Sequence, residues 1–448
     1  MSTYEVEWKD GPIQIDIPDK NLKVDLKTPE LPDLGDARNL IAKALENPIG
    51  GPPLKDQLKS GDKVALLTAD FLDARFGPEE NLGAFFLDTL NSYGIPDKDI
   101  ALVHASGMHG HLAAKHNFGP DLLNRVGNYV EHQPADDSTL TFCGVTARST
   151  GVWVDSQVAE ADFIMGVGGC GPSLYGYQGG GGIVLPGCVG RETIRHNHSF
   201  IMHPEIFLGW EGNPMKHDVH DAADMVGLRF KIDFAANDVF AGYQRDEWPA
   251  AVDYVKKNSM TSMEPADLFI FAPDASEGLL SIYMRIEAAC QSTKEDGIVI
   301  AVISGSAHPK LGRRPVEESL LDQVVATEEA MSYSGDQTQD DILRHDRDNY
   351  AKLELLRLPF DQITKLFLTR AGEPRSIAHV WSHKRAIESR KTFLVTEGIP
   401  EEDAEQYGFA YTTNSFDDAL SKAFNELDKD AEIAVSLPPD GGFALIEQ

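Results

Sequence analysis

Long apolar runs are missing from this sequence. No stretch of about 20 consecutive apolar residues occurs, so no segment reads as a bilayer-spanning helix. Basic residues are scarce: 40 Lys and Arg stand against 71 Asp and Glu, a formal charge of −31. A polyanion would be repelled over most of such a surface, which excludes nucleic acid as a partner. Anionic membranes are disfavoured for the same reason. Cysteine is scarce too. Cys143, Cys170, Cys188 and Cys290 in 448 residues do not make a disulfide framework and fit a reducing compartment. The start, MSTYEVEWKDGPIQIDIPDK, has no basic stretch followed by an apolar run, so no signal peptide is read and a cytoplasmic protein is expected. What is present is ordinary for a globular chain. Hydrophobic residues make up 42% and charged ones 25%, which argues against disorder, and the length suits two or three domains.

From about residue 63, apolar runs of strand length alternate with helical patterns. KVALLT (63–68), DIALVH (99–104) and Asp162–Val167 read as strands, and LGAFFLDTLNSY (82–93) reads as a helix stopped by Gly94 and Pro96. Leu140–Cys143 and Gly151–Val154 read as further strands. A second series follows, with strands at Ala266–Ala272, Ile298–Ile303, Lys365–Thr369 and Thr392–Val395, and helices at Leu279–Thr293 and Phe416–Leu427. This alternation predicts an α/β protein with two α/β domains and mostly parallel sheets. Trp248–Lys257 is a helical pattern, and the polar stretch after it places the boundary near 262. That gives an N-terminal domain over 1–262 and a C-terminal domain over 263–448. Glu5–Ile17 is expected to pair as an edge hairpin, and Glu328–Tyr350 to be a solvated helix or insertion.

Ligands of open α/β sheets bind beyond the carboxyl ends of the strands, so the residues following each strand carry the interest. Three segments stand out: ASGMHGH at 105–111, the Gly-rich run Gly166–Gly187, and RHNH at 195–198. Gly166, Gly168 and Gly171 match G-x-G-x-x-G only formally, because no helical pattern begins within the motif. Gly179, Gly180, Gly181 and Gly182 are more telling. Four glycines in a row are costly to order and suit a close approach to a ligand or another backbone. Histidines gather in two groups, His104, His109, His111 and His116, then His196, His198 and His203, with His217 and His220 beyond. Imidazole suits both metal ligation and proton transfer near neutral pH, but no zinc-type spacing occurs. His217 and His220 would share a helix face. Arg75 follows the first core strand with Asp70 and Asp73 nearby. Its planar fork suits a carboxylate or phosphate, and a salt bridge to Asp73 is the competing role.

The ordered segments ADFLDARFGP, YGIPDKDIALVHASGMH, CGVTARSTGVWVDSQVAEADFIMGVG, GGGGIVLPGCVGRETIRHNHS and EGNPMKHDVHDAA resemble the nickel-dependent lactate racemase family. The resemblance spans most of residues 60–260, and more faintly ASEGLLSIYMRIEAA and EDGIVIAVISGSAH. It implies a cofactor, the nickel-pincer nucleotide, in a cleft between the two domains, and cofactor-synthesis proteins as partners. The metal would be held by the pincer's carbon and two sulfurs plus one histidine, matched here by His198. His109 matches a catalytic base, and Arg75 with Asp70 or Asp73 matches the strand-end pair that contacts substrate and cofactor.

The chain also departs from the family pattern. Ser173 stands where a second catalytic histidine is expected after Pro172, leaving Tyr175, Tyr177, His111 or His196 as substitutes. The tethering lysine is absent, and no lysine at all lies between Lys115 and Lys216, so the cofactor is expected to be held non-covalently by Gly-loop amides. Met284 and Glu287 replace a Gln and a Lys, with Arg285 as a neighbouring cation. The implied activity is racemisation or epimerisation at C2 of a small-molecule 2-hydroxy acid. The Glu287 exchange favours a larger acid, such as a sugar acid, over lactate.

Overall fold

The computed structural model describes residues 1–8, 11–109, 114–204, 206–273, 279, 282–304, 352–369, 374–438 and 441–445, without the side chains of 71, 73, 74, 114–117, 374–376 and 445. The expected insertion at 328–350 lies outside the described residues. The chain forms two units, one built from residues 31–255 and the other from 1–30 together with residues from 256 onward.

The first unit is built on a six-stranded sheet in the order Asp238–Gly242, Leu228–Ala235, Phe163–Cys170, Val64–Ala69, Ile100–Ala105, Asn128–Glu131. All neighbours pair in parallel except the edge strand Asp238–Gly242. A continuous apolar run is what a strand covered on both faces requires. Val64 and Leu66 point into one core with Phe76, Phe86 and Leu102. Ala65, Leu67 and Ala69 point into the other, with Val184, Ile194 and Val219. From Val64–Ala69 the chain runs outward to one edge, then returns to add Phe163–Cys170 and Leu228–Ala235 on the other side. The order reverses beside Val64–Ala69, so the carboxyl ends of three adjacent parallel strands meet at the switch point where such sheets bind ligands. Gly151–Asp155 stays out of this sheet and pairs antiparallel with Leu140–Val145.

Gly166 and Gly168 lie inside the strand Phe163–Cys170. A Cβ on Gly166 would fall 2.7 Å from Ile183 Cγ2, and one on Gly168 would fall 2.9 Å from Lys231 Nζ. These glycines therefore open space for packing on the sheet and are not a dinucleotide fingerprint.

The second unit carries a six-stranded, all-parallel sheet in the order Tyr411–Thr413, Lys391–Val395, Thr293–Val302, Ala266–Phe271, Ile433–Ser436, Leu22–Asp25. The parallel pairing of Leu22–Asp25 with Ile433–Ser436 draws residues 1–30 into this unit, rather than into the N-terminal domain to which the sequence reading assigned them. Ser2–Val6 and Ile13–Ile17 form the expected hairpin, and their Val6, Ile15 and Ile17 join this sheet's core. Lys365–Thr369 is not a strand. It lies at the end of the helix Phe360–Leu368, whose Ile363, Leu366 and Phe367 recur at helical spacing and are buried.

Candidate functional site

Asp70 opens a 3₁₀ turn directly after Val64–Ala69, and His109 ends a tight turn after Ile100–Ala105. The His109 amide donates to the Ser106 carbonyl at 2.9 Å and the Gly107 amide to Gly187 O at 3.0 Å. Gly107 takes φ +52 here, and a Cβ would meet Pro186 O at 3.0 Å, so the turn needs glycine. Nδ1 of His109 lies 2.5 Å from Asp70 Oδ2. A carboxylate can only accept, so Nδ1 carries the proton and Nε2 keeps the basic lone pair. The imidazole is 44% exposed, open to a small ligand.

Arg75 is turned toward other partners than expected. Its Nε donates to Glu80 at 2.8 Å, and its guanidinium stands 4.1 Å from the Phe234 ring centroid. The side chain of Asp73, the competing partner, lies outside the described residues, as does His111.

Gly179–Gly182 is held from beneath. Asp233 Oδ2 accepts the Gly180 amide at 2.7 Å, and Gly179 O accepts the Gly182 amide at 3.1 Å. These two amides are therefore engaged within the protein, which corrects the expectation that the loop's N–H groups as a set hold a phosphate. Three of the glycines are explained by packing. A Cβ on Gly179 would meet Asp233 Oδ2 at 2.9 Å, on Gly180 His220 Cε1 at 2.8 Å, and on Gly181 Ala223 Cβ at 3.0 Å.

Under the loop lies a buried polar cluster that the sequence reading missed. Lys231 and Asp233 form a fully buried ion pair. They lie opposite Gly166 and Gly168 on the neighbouring strand, whose missing side chains make room for them. Lys216 reaches in from the helix Pro214–Val226, capped by Asn213, and its Nζ donates to Gly179 O at 2.6 Å. A signal existed: Lys216, Val219, His220 and Ala223 follow the i, i+3, i+4, i+7 pattern of a buried face. His217 and His220 lie three apart on this helix, with His217 at the exposed margin and His220 buried. His220 donates through Nδ1 to Gln244 Oε1, and burial lowers its pKa to about 3, keeping it neutral.

The strands Pro172–Ser173 and Gly176–Tyr177 make a tight hairpin. Ser173 Oγ accepts the Tyr175 amide at 3.2 Å, and Asn213 donates to the Tyr175 carbonyl at 2.9 Å. The hairpin sets the Tyr175 ring 4.8 Å from the ring of His198, which is buried at the end of the helix Arg191–His198. Of the other substitutes, Tyr177 is core-buried and His196 Nδ1 lies 2.7 Å from Thr150 Oγ1.

Residues 8–209 match the family described as the lactate racemase N-terminal domain. Over this stretch the chain is similar to the lactate racemase family. The whole chain extends well beyond it. It is 24% identical over 321 residues to a lactate racemase of Thermoanaerobacterium thermosaccharolyticum, covering 67% of this chain and 74% of that protein. The fold is similar to the lactate racemase apoprotein of the same organism, with a TM-score of 0.73 at 20% identity over the whole of both chains. A Thermotoga maritima protein structure is more distant, with a TM-score of 0.53 at 15% identity over 92% of this chain and 99% of that one.

The exchanged residue Glu287 is not an uncompensated acid. It is buried in the second unit, where Ser382 Oγ donates to it at 2.7 Å and Arg385 pairs with it at 3.0 Å. Its charge is matched on the spot, which removes the electrostatic reason for disfavouring a small anionic substrate. Arg285 Nη1 lies 3.5 Å from the Gly441 carbonyl, near the ring of Phe443.

A nickel-pincer nucleotide can be tested against the donors present. Among the described residues no three His, Cys, Asp or Glu side chains are grouped to hold a metal ion. His198 instead offers a single buried imidazole beside Tyr175. One protein nitrogen fits a cofactor that carries its own metal donors.

Proposed function

We propose that this protein is an isomerase, a racemase or epimerase acting at C2 of a 2-hydroxy acid, with a non-covalently held nickel-pincer nucleotide. The observation that supports this most is the Asp70–His109 pair at the carboxyl ends of adjacent parallel strands. His109 Nε2 takes the proton of the substrate hydroxyl, and Asp70 stabilises the imidazolium that forms. Arg75, in the short helix after Asp70, would hold the substrate carboxylate through its terminal nitrogens while its Nε stays on Glu80. His198 would be the nickel ligand, and the cofactor, when bound, would accept and return the C2 hydride. Loss of proton and hydride turns the hydroxy acid into a planar 2-keto acid, and their return to either face restores or inverts C2. On the opposite face Ser173, a poor base at neutral pH, would serve only as a proton relay, with Tyr175 following it in the same hairpin.

The test uses protein produced together with cofactor-synthesis enzymes and supplied with single enantiomers of 2-hydroxy acids, followed by chiral chromatography. Both enantiomers are expected from either one. Accumulation of a keto acid or an alkene alone would replace isomerisation by a one-sided reaction. Nickel is expected at about one per chain in the wild type and to be lost in His198→Ala.

A further inference from the structure

Lys216 is a buried cation that forms no ion pair among the described residues. It is 5% exposed, and its ammonium contacts the Gly179 carbonyl at 2.6 Å and lies 4.7 Å from the Trp248 ring centroid. The groups that face it are accounted for. Asp233 is neutralised by Lys231. Burial, and then the charge of Asp233, push the Glu247 carboxyl well above its usual range, so it stays protonated. The Cys170 thiol, raised by burial, and His220, lowered by it, are both neutral. Burial lowers Lys216 itself only to about 8, so it remains charged at neutral pH. A buried ammonium without a counter-ion is costly, and this one sits in a chain of formal charge −31.

Gly182 supplies the second observation. At Gly179, Gly180 and Gly181 a Cβ would strike protein atoms at 3.0 Å or less, but at Gly182 the one neighbour within 4 Å is Lys216 Nζ, at 4.0 Å. Room for at least a methyl-sized group thus lies beside Gly182, within van der Waals reach of the ammonium, and Gly182 is only partly buried.

We propose that Lys216 and Gly182 form the seat of a phosphate monoester, with Lys216 as its counter-ion. Resting on the function proposed above, this is where the cofactor's phosphate is anchored. The room next to Gly182 admits a phosphate oxygen, and the Lys216 ammonium donates to it while keeping its bond to Gly179.

Calorimetric titration of metal-free protein with a pyridine mononucleotide and with sulfate tests this without turnover. One site per chain is expected, with sulfate affinity falling as pH rises through about 8, where Lys216 loses its proton. Lys216→Met should weaken both ligands at least tenfold while the ligand-free protein melts no lower than wild type, because an uncompensated buried cation has been removed. Unchanged binding in that variant overturns the proposal. So does lost binding with a markedly lower melting temperature, which would make Lys216 only a support for the loop. If Lys216→Met does not fold, the sulfate pH profile of the wild type decides, and a flat profile overturns the proposal. A covalent adduct on Lys216 in cofactor-loaded protein would also overturn it. Failure of racemisation with binding intact would count against the function and leave this site standing.

Discussion

Asp70 fixes which nitrogen of His109 is basic: its Oδ2 lies 2.5 Å from Nδ1, so Nε2 faces outward as the proton acceptor. Asp70→Asn exchanges a pure acceptor for a side chain that can also donate, which favours the opposite tautomer. The expected result is a loss in kcat of roughly a hundred- to ten-thousandfold, the scale of general-base catalysis, with a much smaller change in KM. Steady-state kinetics on cofactor-loaded protein, with nickel content as a control, measures it.

The Gly-rich loop should respond unevenly to alanine. Gly180 has φ +54, and a Cβ there would lie 2.8 Å from His220 Cε1 and 3.0 Å from Trp248. Gly180→Ala should therefore cost about 2 kcal/mol or more from backbone strain and overlap. Gly182→Ala, free of both problems, should stay within about 0.5 kcal/mol of wild type. Urea unfolding of the ligand-free proteins distinguishes the two.

His220 and His383 are both neutral in the folded protein because burial lowers each to about 3. In the unfolded chain each titrates near about 6.5. Below that value the unfolded state binds protons that the folded state refuses, so stability is full above pH ~6.5 and falls as pH drops toward about 3. The slope is about 1.4 kcal/mol per pH unit for each histidine. His220→Asn, which keeps a donor for Gln244, should remove one histidine's share of that slope. Denaturation midpoints between pH 5 and 6.5 test it, and an unchanged slope would contradict the neutral, buried assignment.

Arg385→Met should destabilise the protein by about 2–3 kcal/mol, since it leaves Glu287 buried without its cation. This is below the ~3–5 kcal/mol of a fully buried pair because the Arg385 side chain is 24% exposed. Restoration of much of that loss by the double change Arg385→Met with Glu287→Gln would show the pair to be a local charge balance, and thermal unfolding of the three variants gives the cycle.

Much of this molecule was legible before any coordinates. Runs such as Val64–Ala69 are apolar at all positions but Thr68 because both faces of the strand are covered, so composition marks them as inner strands of a parallel sheet. Lys365–Thr369 reads as a strand yet ends the helix Phe360–Leu368, because a short apolar run does not distinguish strand from helix until its neighbours do. At the site, His109, Asp70 and the four glycines could be named from their place after strands, but not their partners.

The sequence by itself determined the acidic surface, the parallel α/β class and the histidines and glycines that follow the strands, since these rest on composition and local periodicity. Only the tertiary structure decided that Leu22–Asp25 pairs with Ile433–Ser436, that Glu287 meets Arg385, and that Lys216 reaches Gly179. Each of these joins residues distant in sequence, and their energies come from desolvation and charge balance inside the fold, which no local pattern records.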